Sequence, residues 1–420
     1  MPHAQAQPQW VSQIGPPEER GLCVIIDGDS HLYEPRRMWH DYCDPADRDV
    51  AIRIENDELG YAWLTVRGQS IGKRAYVSSP TAGADFSGLG KALQRWRDGL
   101  PNEETHYDQM PATYWDPAAR RDILATWGID HSVLFPQFGF QWEWPLASDP
   151  YALRVNMEAW NRYAAEVAQE GRGKLHPVGH VNLDSDPRWL RQQLEFLSKN
   201  NIRMAMCYPS LVDGRRLSHP DLDGMWRAFT DSDVAVAWHV TSQMATVFDH
   251  YQAWGDNDNG MVRFVTGLHL KAAAELALTD MAGNGVFQRH PRLRVVTAEL
   301  GAEWFSSLCR RADSWMKIHD ELDGRPLNPE LAEPPSEYLR RAVTLVCSFP
   351  TDWSPQIMTE LADNAAYGGD YPHPEGLNDP LREYQEQVGE LEPSVADRIY
   401  GANLARILHV GQSHDAYTPG

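Results

Sequence analysis

Positive charge is scarce in this chain. Its 420 residues include 38 Lys and Arg against 59 Asp and Glu, which gives a formal net charge of −21 at pH 7. Nucleic acids and anionic membranes are bound by positively charged surfaces, so this balance argues against both as partners. The composition therefore favours a protein whose partner is a small-molecule substrate.

The sequence also lacks paired cysteines, a secretory signal and any long apolar run. Its five cysteines are dispersed without CxxC spacing, which is typical of reduced, buried thiols. The first ten residues, MPHAQAQPQW, contain neither the basic nor the apolar part of a signal peptide. No stretch approaches the roughly 18 apolar residues that a membrane helix needs. These absences predict a cytoplasmic location.

Short β-branched segments alternate with helical patterns along most of the chain. Nearly continuous apolar character is typical of strands that are buried on both faces. Alternation of such strands with helices predicts parallel pairing through right-handed crossovers, and eight units predict a (β/α)8 TIM barrel. An open doubly wound sheet is the alternative. The predicted strands span residues 24–27, 132–136, 177–183, 204–208, 234–240, 293–300, 343–348 and 366–370.

The domain organisation follows from where this alternation begins, pauses and ends. Residues 1–21 are polar and proline-rich, which predicts a flexible N-terminal arm. The barrel domain is predicted to cover 22–410, with a C-terminal tail at 411–420. Residues about 45–115 interrupt the alternation after the first strand, and inserted segments of this kind commonly form lids over a site.

Ionisable side chains stand at the carboxyl ends of four predicted strands, which meet at one rim of a barrel. In CVIIDGDSHLYEP, alternate residues of an extended strand face one side, so Asp27, Asp29 and His31 are predicted to share a face. Glu34 follows just beyond them. Three further strands contribute candidates at their ends: His239, Glu299 and Asp370.

One bound divalent cation explains why these residues occur together better than a separate structural role for each residue does. Taken alone, His239 fits a hydrogen-bonded structural residue, Asp370 fits a helix cap, and Glu299 fits a buried partner for an arginine. Taken together, clustered carboxylates repel one another and lose hydration, and a cation removes both costs. Histidines mixed with carboxylates suit Zn, Mn or Fe rather than Ca.

Four segments together resemble the amidohydrolase-related family, in the branch that includes aminocarboxymuconate-semialdehyde decarboxylase: DGDSHLYEP, AWHV, FQRHPRLRVVTAELGAEW and GGDYPHPEG. The resemblance extends from about residue 23 to 410. It implies a metal-dependent (β/α)8 barrel, often a homodimer, with Asp29, His31, His239 and Asp370 as metal ligands. Two positions depart from the family. Asp29 replaces the first histidine of a common His-x-His motif, and Glu299 stands where many relatives have a sixth-strand histidine.

Two functions are compatible with this ligand set. In the first, one Zn or Mn ion polarises a carbonyl or activates water, and Asp370 or Glu299 takes the proton. This hydrolase or carboxy-lyase would act on a bulky apolar or aromatic carboxylic acid, or on its ester or thioester. In the alternative, two Fe ions form a non-haem di-iron monooxygenase of the platensimycin-biosynthesis type, which would hydroxylate a bulky apolar substrate. A degenerate barrel that only binds ligands is a third hypothesis.

Other candidates surround these residues. Glu34 is either a metal ligand or a turn cap before Pro35. His373, between two prolines, is expected to orient Asp370 or to bind a second metal, and His269 is a candidate for the same roles. The segment FPQFGFQWEW predicts either a subunit contact or a substrate wall formed by Phe138, Phe140, Trp142 and Trp144.

Overall fold

The computed structural model describes residues 24–58, 62–74, 107–184, 186–240, 268–348, 354–373, 376 and 379–411. The predicted N-terminal arm and nearly all of the predicted tail lie outside the described residues, as does a large part of the predicted lid. The domain bounds and the lid therefore stay predictions.

Eight parallel strands close into a barrel, which confirms the predicted fold class. In chain order the twelve strands are β1 (Ile26–Leu32), β2 (Arg53–Asn56), β3 (Ala62–Val66), β4 (Gln69–Arg74), β5 (His131–Pro136), β6 (Leu175–Pro177), β7 (Gly179–His180), β8 (Met204–Met206), β9 (Ala235–His239), β10 (Val295–Ala298), β11 (Val343–Cys347) and β12 (Ala365–Tyr367). The order around the barrel is β1, β5, β6 with β7, β8, β9, β10, β11 and β12, where β6 and β7 are two parts of one interrupted strand. A parallel bridge between Ser30 and Tyr371 joins the last strand to the first. This closure excludes the open sheet.

Helices surround the barrel strands. They are α1 (Met38–Tyr42), α2 (Ala112–Trp115), α3 (Pro117–Trp127), α4 (Pro150–Glu170), α5 (Pro187–Lys199), α6 (Asp223–Ser232), α7 (Ala272–Gly283), α8 (Val286–Arg289), α9 (Phe305–Asp323), α10 (Pro335–Ala342), α11 (Pro355–Glu360), α12 (Pro380–Val388), α13 (Pro393–Asp397) and α14 (Asn403–Leu408), with a π-helical turn at Arg398–Ala402. Among the described residues, no helix is long and apolar enough to cross a membrane.

Asp-Pro pairs begin three of the longer helices. Asp116, Asp149 and Asp186 each precede a proline in the first helical position, and each carboxylate accepts a hydrogen bond from a backbone N–H of the first turn. An aspartate satisfies one of the unpaired N–H groups of a helix start, and proline needs no partner there. The sequence thus fixes where each crossover helix begins.

Two apolar layers separate the inside of the barrel from its outer shell. The interior is filled by side chains such as Ile26, Phe135 and Met206, and Leu404 and Leu408 of the last helix close it at the amino-terminal end. The larger cluster lies between the strands and the helices. With the interior of the barrel filled, a catalytic site is expected at the carboxyl-terminal rim.

The sequence pattern over residues 262–289 predicts one long helix, and this prediction is wrong. Within its described part the chain forms α7 and α8, and the break falls at Gly285, where φ is 74°. A left-handed residue cannot continue an α-helix, so Gly285 ends the first segment. The part before residue 268 lies outside the described residues.

The predicted insertion contains an antiparallel meander in its described part. The alternation over residues 49–67 predicts a hairpin, and the structure adds a third strand, since β2, β3 and β4 pair in sequence order. Asn156 on α4 anchors the start of this region, since its amide accepts from Ile52 N–H and donates to Val50 C=O. The meander is therefore attached to the barrel beside the helix that follows β5.

Replacing Gly401 by Ala is expected to destabilise the protein by about 3 kcal/mol or more. A Cβ at Gly401 would lie 1.8 Å from the backbone carbonyl oxygen of Val24, where the chain enters β1. Gly224→Ala is the matched control. It meets no atom within 4 Å inside α6, so it should be neutral or stabilising by up to about 1 kcal/mol. Chemical denaturation measures both, and equal stabilities would contradict the close approach.

Candidate metal centre

Buried donor atoms from four barrel strands meet at the carboxyl-terminal rim. Ligand atoms of Asp29, His31 and His239 form one group, and those of His31, Glu299, Asp370 and His373 form a second group that shares His31. Within each group all the atoms lie within 4.8 Å of one another. The structure therefore brings together the six side chains, although they are far apart in sequence.

The separations between these atoms suit one coordination sphere. Asp29 Oδ1 lies 3.6 Å from His31 Nε2 and 3.6 Å from His239 Nε2. His31 Nε2 lies 3.4 Å from Asp370 Oδ1, and His239 Nε2 lies 3.3 Å from Glu299 Oε2. Ligand atoms bound to one cation at about 2.1 Å stand about 3.0 to 3.4 Å from each other. The donors thus need only a small contraction to share an ion.

A bulge in β1 selects which acidic residues face this point. Between Asp27 and Ser30 the register against β5 shifts, so three steps on β1 oppose two on β5. An extra residue reverses the alternation of side chains along a strand. The prediction that Asp27 shares a face with Asp29 and His31 is therefore wrong.

Asp27 has a structural role beside the site. Its Oδ1 accepts hydrogen bonds from the backbone N–H groups of Asp29, at 3.1 Å, and Gly369, at 2.9 Å. Burial raises the pKa of Asp27 to about 8, and these two backbone hydrogen bonds oppose the shift. The carboxyl group thus fixes the turn that precedes Asp370.

Two site residues that follow the ends of their strands have a left-handed backbone conformation. Glu299 has φ 56° and Asp370 has φ 53°, a region that non-glycine residues seldom adopt. Just before Asp370 the chain also needs Gly368, because a Cβ there would lie 2.6 Å from Val346 and 2.8 Å from the Asp29 Cβ. This close approach brings the end of β12 against the end of β1.

Backbone hydrogen bonds and His373 hold Asp370. Its N–H donates to the Asp29 carbonyl at 2.6 Å. His373 Nδ1 lies 2.8 Å from Asp370 Oδ1, and the other ring nitrogen lies 2.9 Å from Gln137 Oε1. The His373 ring also stacks on His31, with centroids 3.8 Å apart. This is the arrangement expected of a residue that orients Asp370.

The protonation of His31 suits metal binding. Burial lowers the pKa of His31 well below its usual range, and His373 and His239 add to the shift. A neutral imidazole has a lone pair for a metal, whereas an imidazolium has none.

The donor set fits a divalent cation. Among the described residues, Asp29 Oδ1 and His31 Nε2 have no hydrogen-bond partner although both are buried. The second carboxylate oxygen of Asp29 accepts from Ser348 Oγ at 2.7 Å, which orients the group. A buried carboxylate oxygen left without a partner is costly. A cation at the common point would satisfy both atoms.

Two candidate ligands lie outside both groups. Glu34 is fully buried, but the backbone N–H of Phe138 donates to its carboxylate at 3.1 Å, and burial raises the pKa of Glu34 to about 8. Its position beyond the end of β1 directs it to the segment after β5 instead. His269 is exposed just before α7. The structure therefore does not bring these two to the other donors.

The predicted aromatic wall is only partly supported by geometry. Phe138 and Trp142 are 2% and 1% exposed and belong to the outer core, while Trp144 is 60% exposed. The side chain of Phe140 lies outside the described residues. Phe135 is instead the aromatic residue at the donors, with its ring 4.8 Å from that of His239. Phe135 lies one residue before the end of the predicted strand 132–136, and this position in the sequence could have identified it.

Arg120 holds the backbone next to the donors in place, a role that the sequence did not indicate. This fully buried guanidinium donates to the His31 carbonyl at 2.6 Å, to Ser30 Oγ at 2.8 Å and to the Thr113 carbonyl at 2.7 Å. Ser30 Oγ in turn donates to the Tyr371 carbonyl at 2.9 Å. Arg120 thus connects the bulged part of β1 to the loop that carries Asp370.

A buried pair of polar side chains, His180 and Glu143, lies at the same rim. His180, at the end of β7, lies with Nε2 2.9 Å from Glu143 Oε2, and Asn182 donates to the other oxygen of Glu143 at 2.8 Å. The Trp142 ring packs against His180, with centroids 5.0 Å apart. Glu143, the acidic residue of the segment predicted to form an aromatic wall, thus contacts the His180 ring and Asn182.

Comparison with protein families identifies the chain. The model of the Amidohydrolase family matches residues 105–410, which is most of the sequence. The chain belongs to the amidohydrolase family. This amidohydrolase is therefore an enzyme, as predicted, and the resemblance noted from its motifs is confirmed. A search of the curated proteins found no match.

Solved structures share the fold of this amidohydrolase. An amidohydrolase from Mycobacterium avium subsp. paratuberculosis aligns with a TM-score of 0.71 at 20% identity, over 92% of this chain and 99% of that one. The 5-carboxyvanillate decarboxylase LigW from Sphingomonas paucimobilis aligns with a TM-score of 0.59 at 18% identity, over 92% and 99%. A dihydroxybenzoic acid decarboxylase from a Polaromonas species, with bound manganese and the inhibitor 2-nitroresorcinol, aligns with a TM-score of 0.55 at 13% identity, over 94% and 100%.

We expect the His239→Ala and Asp370→Ala variants to lose bound metal, because each removes a donor that meets the others at the common point. After incubation with Mn²⁺ and dialysis, elemental analysis should find metal in the wild type and little in either variant. His269→Ala is the matched control, since this histidine is exposed and lies outside both donor groups. Retention of metal in both site variants would refute the centre.

Arg120→Met should destabilise the protein by about 3 kcal/mol or more and weaken metal binding. The substitution keeps an unbranched apolar side chain but removes the guanidinium group, which leaves the carbonyls of His31 and Thr113 without their donor. Arg121→Met, one residue further along α3 and partly exposed, should change the free energy of unfolding by less than about 1 kcal/mol. Denaturation and metal titration of both variants measure the difference.

Proposed function

We propose that this amidohydrolase is a metal-dependent carboxy-lyase that removes CO₂ without oxidation from an aromatic or bulky apolar carboxylic acid. The observation that carries the proposal is that two groups of donors share His31: Asp29 and His239 complete one group, and Glu299, Asp370 and His373 complete the other. Decarboxylases of aromatic acids among the structures of the same fold support it.

The cation that we assign to this point is Mn²⁺ or Zn²⁺. Two imidazoles and two carboxylates, from Asp29, His31, His239 and Asp370, form a nitrogen and oxygen donor set that suits these ions. Manganese in the Polaromonas decarboxylase supports this assignment. When bound, the ion supplies positive charge that holds the substrate carboxylate and draws electron density from it.

Glu299 is the residue that we assign to move the proton. In the net reaction the bond between the carboxylate carbon and the substrate breaks, its electron pair stays on the substrate carbon, and that carbon takes up a proton as CO₂ leaves. Glu299 is 3% exposed, and its Oε2 lies 3.3 Å from His239 Nε2. A carboxyl group shielded from water at this distance from the donor set can carry the proton to the substrate carbon.

The remaining residues orient and shield the reaction. His373 fixes the Asp370 carboxylate through the 2.8 Å contact, and Ser348 fixes Asp29. The Phe135 ring and the apolar interior of the barrel exclude water below the donors. Because the interior of the barrel is filled, a substrate reaches the donors from the carboxyl-terminal rim.

The other functions considered from the sequence have less support. A di-iron site would need further carboxylates such as Glu34, but this carboxylate accepts from the backbone N–H of Phe138 instead. No comparison favours a monooxygenase. Hydrolysis of an ester or thioester remains an outcome of the experiment below. The homodimer and the cytoplasmic location stay predictions.

Glu299→Gln should lower kcat for decarboxylation by about 100-fold or more while bound metal is retained, since the amide cannot carry the proton. The assay incubates the Mn²⁺-loaded enzyme with 5-carboxyvanillate and dihydroxybenzoates and measures released CO₂. In D₂O the product should carry deuterium at the carbon that lost the carboxylate. Glu321→Gln, an exposed change on α9, is the control.

Three results would speak against the proposal. Ester hydrolysis without CO₂ release would make the enzyme a hydrolase. Full activity in Glu299→Gln would remove this residue from proton transfer. Loss of metal in Glu299→Gln would make Glu299 a ligand.

A further inference from the structure

A cavity of about 490 Å³ lies at the amino-terminal ends of β8 to β11, on the face of the barrel opposite the candidate metal centre. Residues that precede these strands or belong to the last helix form its wall. Six arginines line it, in a protein whose net charge is −21: Arg203, Arg292, Arg294, Arg340, Arg341 and Arg406. Six of the 38 Lys and Arg residues of a strongly acidic chain thus line one cavity.

The carboxylates of this arginine cavity are already paired. Asp233 Oδ2 lies 2.9 Å from His409 Nε2 and 3.6 Å from the guanidinium of Arg203. Asp363 lies 2.7 Å from Arg398, which is not part of the wall. Two further arginines of the wall face carboxylates outside it. These contacts leave the wall with a surplus of positive charge.

The other three guanidinium groups, those of Arg294, Arg340 and Arg406, make no ion pair with a carboxylate in the described part of the chain. Arg294 donates to the carbonyl of Pro291 at 2.9 Å, and Arg406 donates to the side-chain oxygen of Asn403 at 2.6 Å. Their partners are therefore neutral acceptors. Guanidinium groups of this kind remain available to an anion from solution.

The arginines are close enough to affect one another. Burial lowers the pKa of Arg294, and the neighbouring charge of Arg406 lowers it further. Like charges at a partly buried place repel, and an anion between them removes the repulsion. The planar guanidinium group, with donors in a fixed fork, matches the oxygens of phosphate in a bidentate manner.

We propose that the arginine cavity binds a small molecule that carries a phosphate or diphosphate group. Three guanidinium groups without carboxylate partners offer more charge than a single carboxylate neutralises, which favours a multiply charged anion. Phe229, Val343 and Ile407 add an apolar part to the wall, which suits a ligand with an apolar body. The volume lies within the usual range of small-molecule sites.

This site is separate from the candidate metal centre. Arg294 directly precedes β10, and Glu299 directly follows that strand. Five residues of extended chain span about 16 Å, so a small anion held by Arg294 does not reach the donors at the other end. The two sites therefore have independent tests, and this inference does not rest on the proposed function.

Calorimetric titration of the full-length chain with inorganic pyrophosphate tests the proposal. We expect one site with Kd below about 100 μM, weakening as salt rises. Arg294→Gln and Arg406→Gln should each weaken binding by about 10-fold or more. Arg406 is exposed, so this variant should fold even if Arg294→Gln does not. Arg310→Gln, an exposed change on α9 outside the cavity, should bind as the wild type does.

Further arms separate the proposal from its alternatives. Binding should persist in His239→Ala, which keeps the cavity but lacks a proposed metal ligand. Loss of binding there would place pyrophosphate at the metal centre and overturn the proposal. No binding at millimolar pyrophosphate, or equal binding in both cavity variants and the control, would overturn it too. Tighter binding of tricarballylate than of pyrophosphate would indicate a carboxylate site instead. Dissociation of an oligomer in Arg406→Gln, seen by sedimentation, would make the face a subunit contact.

Discussion

The hydrogen bonds that close the barrel between its first and last strands are the constraint on which the site depends. Asp370 N–H donates to the Asp29 carbonyl at 2.6 Å, and His31 N–H donates to the Tyr371 carbonyl at 2.7 Å. These hydrogen bonds hold β1, which carries the proposed ligands Asp29 and His31, against the loop after β12, which carries Asp370. Arg120, Ser30 and the Asp27 carboxylate all act on this same seam. A change that opened the seam would separate the donors even if every donor side chain were kept.

Burial of the carboxylates where the first and last strands meet determines what can compensate their charge. Asp29, Glu299 and Asp370 are at most 3% exposed and lie within a few ångströms of the imidazole nitrogens of two histidines. Water cannot compensate their charge there, so the protein has to do so with hydrogen bonds or with a cation. The hydrogen bonds of Asp29 use only one of its oxygens among the described residues. The geometry that makes these buried charges costly therefore favours a bound cation.

The barrel separates its charges between two ends. Carboxylates and imidazoles converge at the carboxyl ends of the strands, whereas arginines converge at the amino ends of β8 to β11. Strands β9 and β10 are only five and four residues long, so each has residues of the arginine cavity near its start and a donor near its end. Parallel strands have this consequence in general: residues that precede strands meet at one face, and residues that follow strands meet at the other.

The sequence by itself determined the fold class, the approximate strands and the donor types at the rim, because buried strands and helix starts are local patterns. It placed Asp29, His31, His239, Glu299 and Asp370 at strand ends, and the structure brings all five together. Tertiary structure alone decided which other residues join them. The bulge in β1 directs the Asp27 side chain away from the donors. The Glu34 carboxylate accepts a backbone hydrogen bond instead, and His269 is exposed. Stacking of His373 on His31, and the bond between Ser30 and Tyr371 across 341 residues of chain, are contacts that no local pattern specifies. The physical reason is that periodicity reports which face of an element is buried, whereas the partner on that face depends on the path of the whole chain.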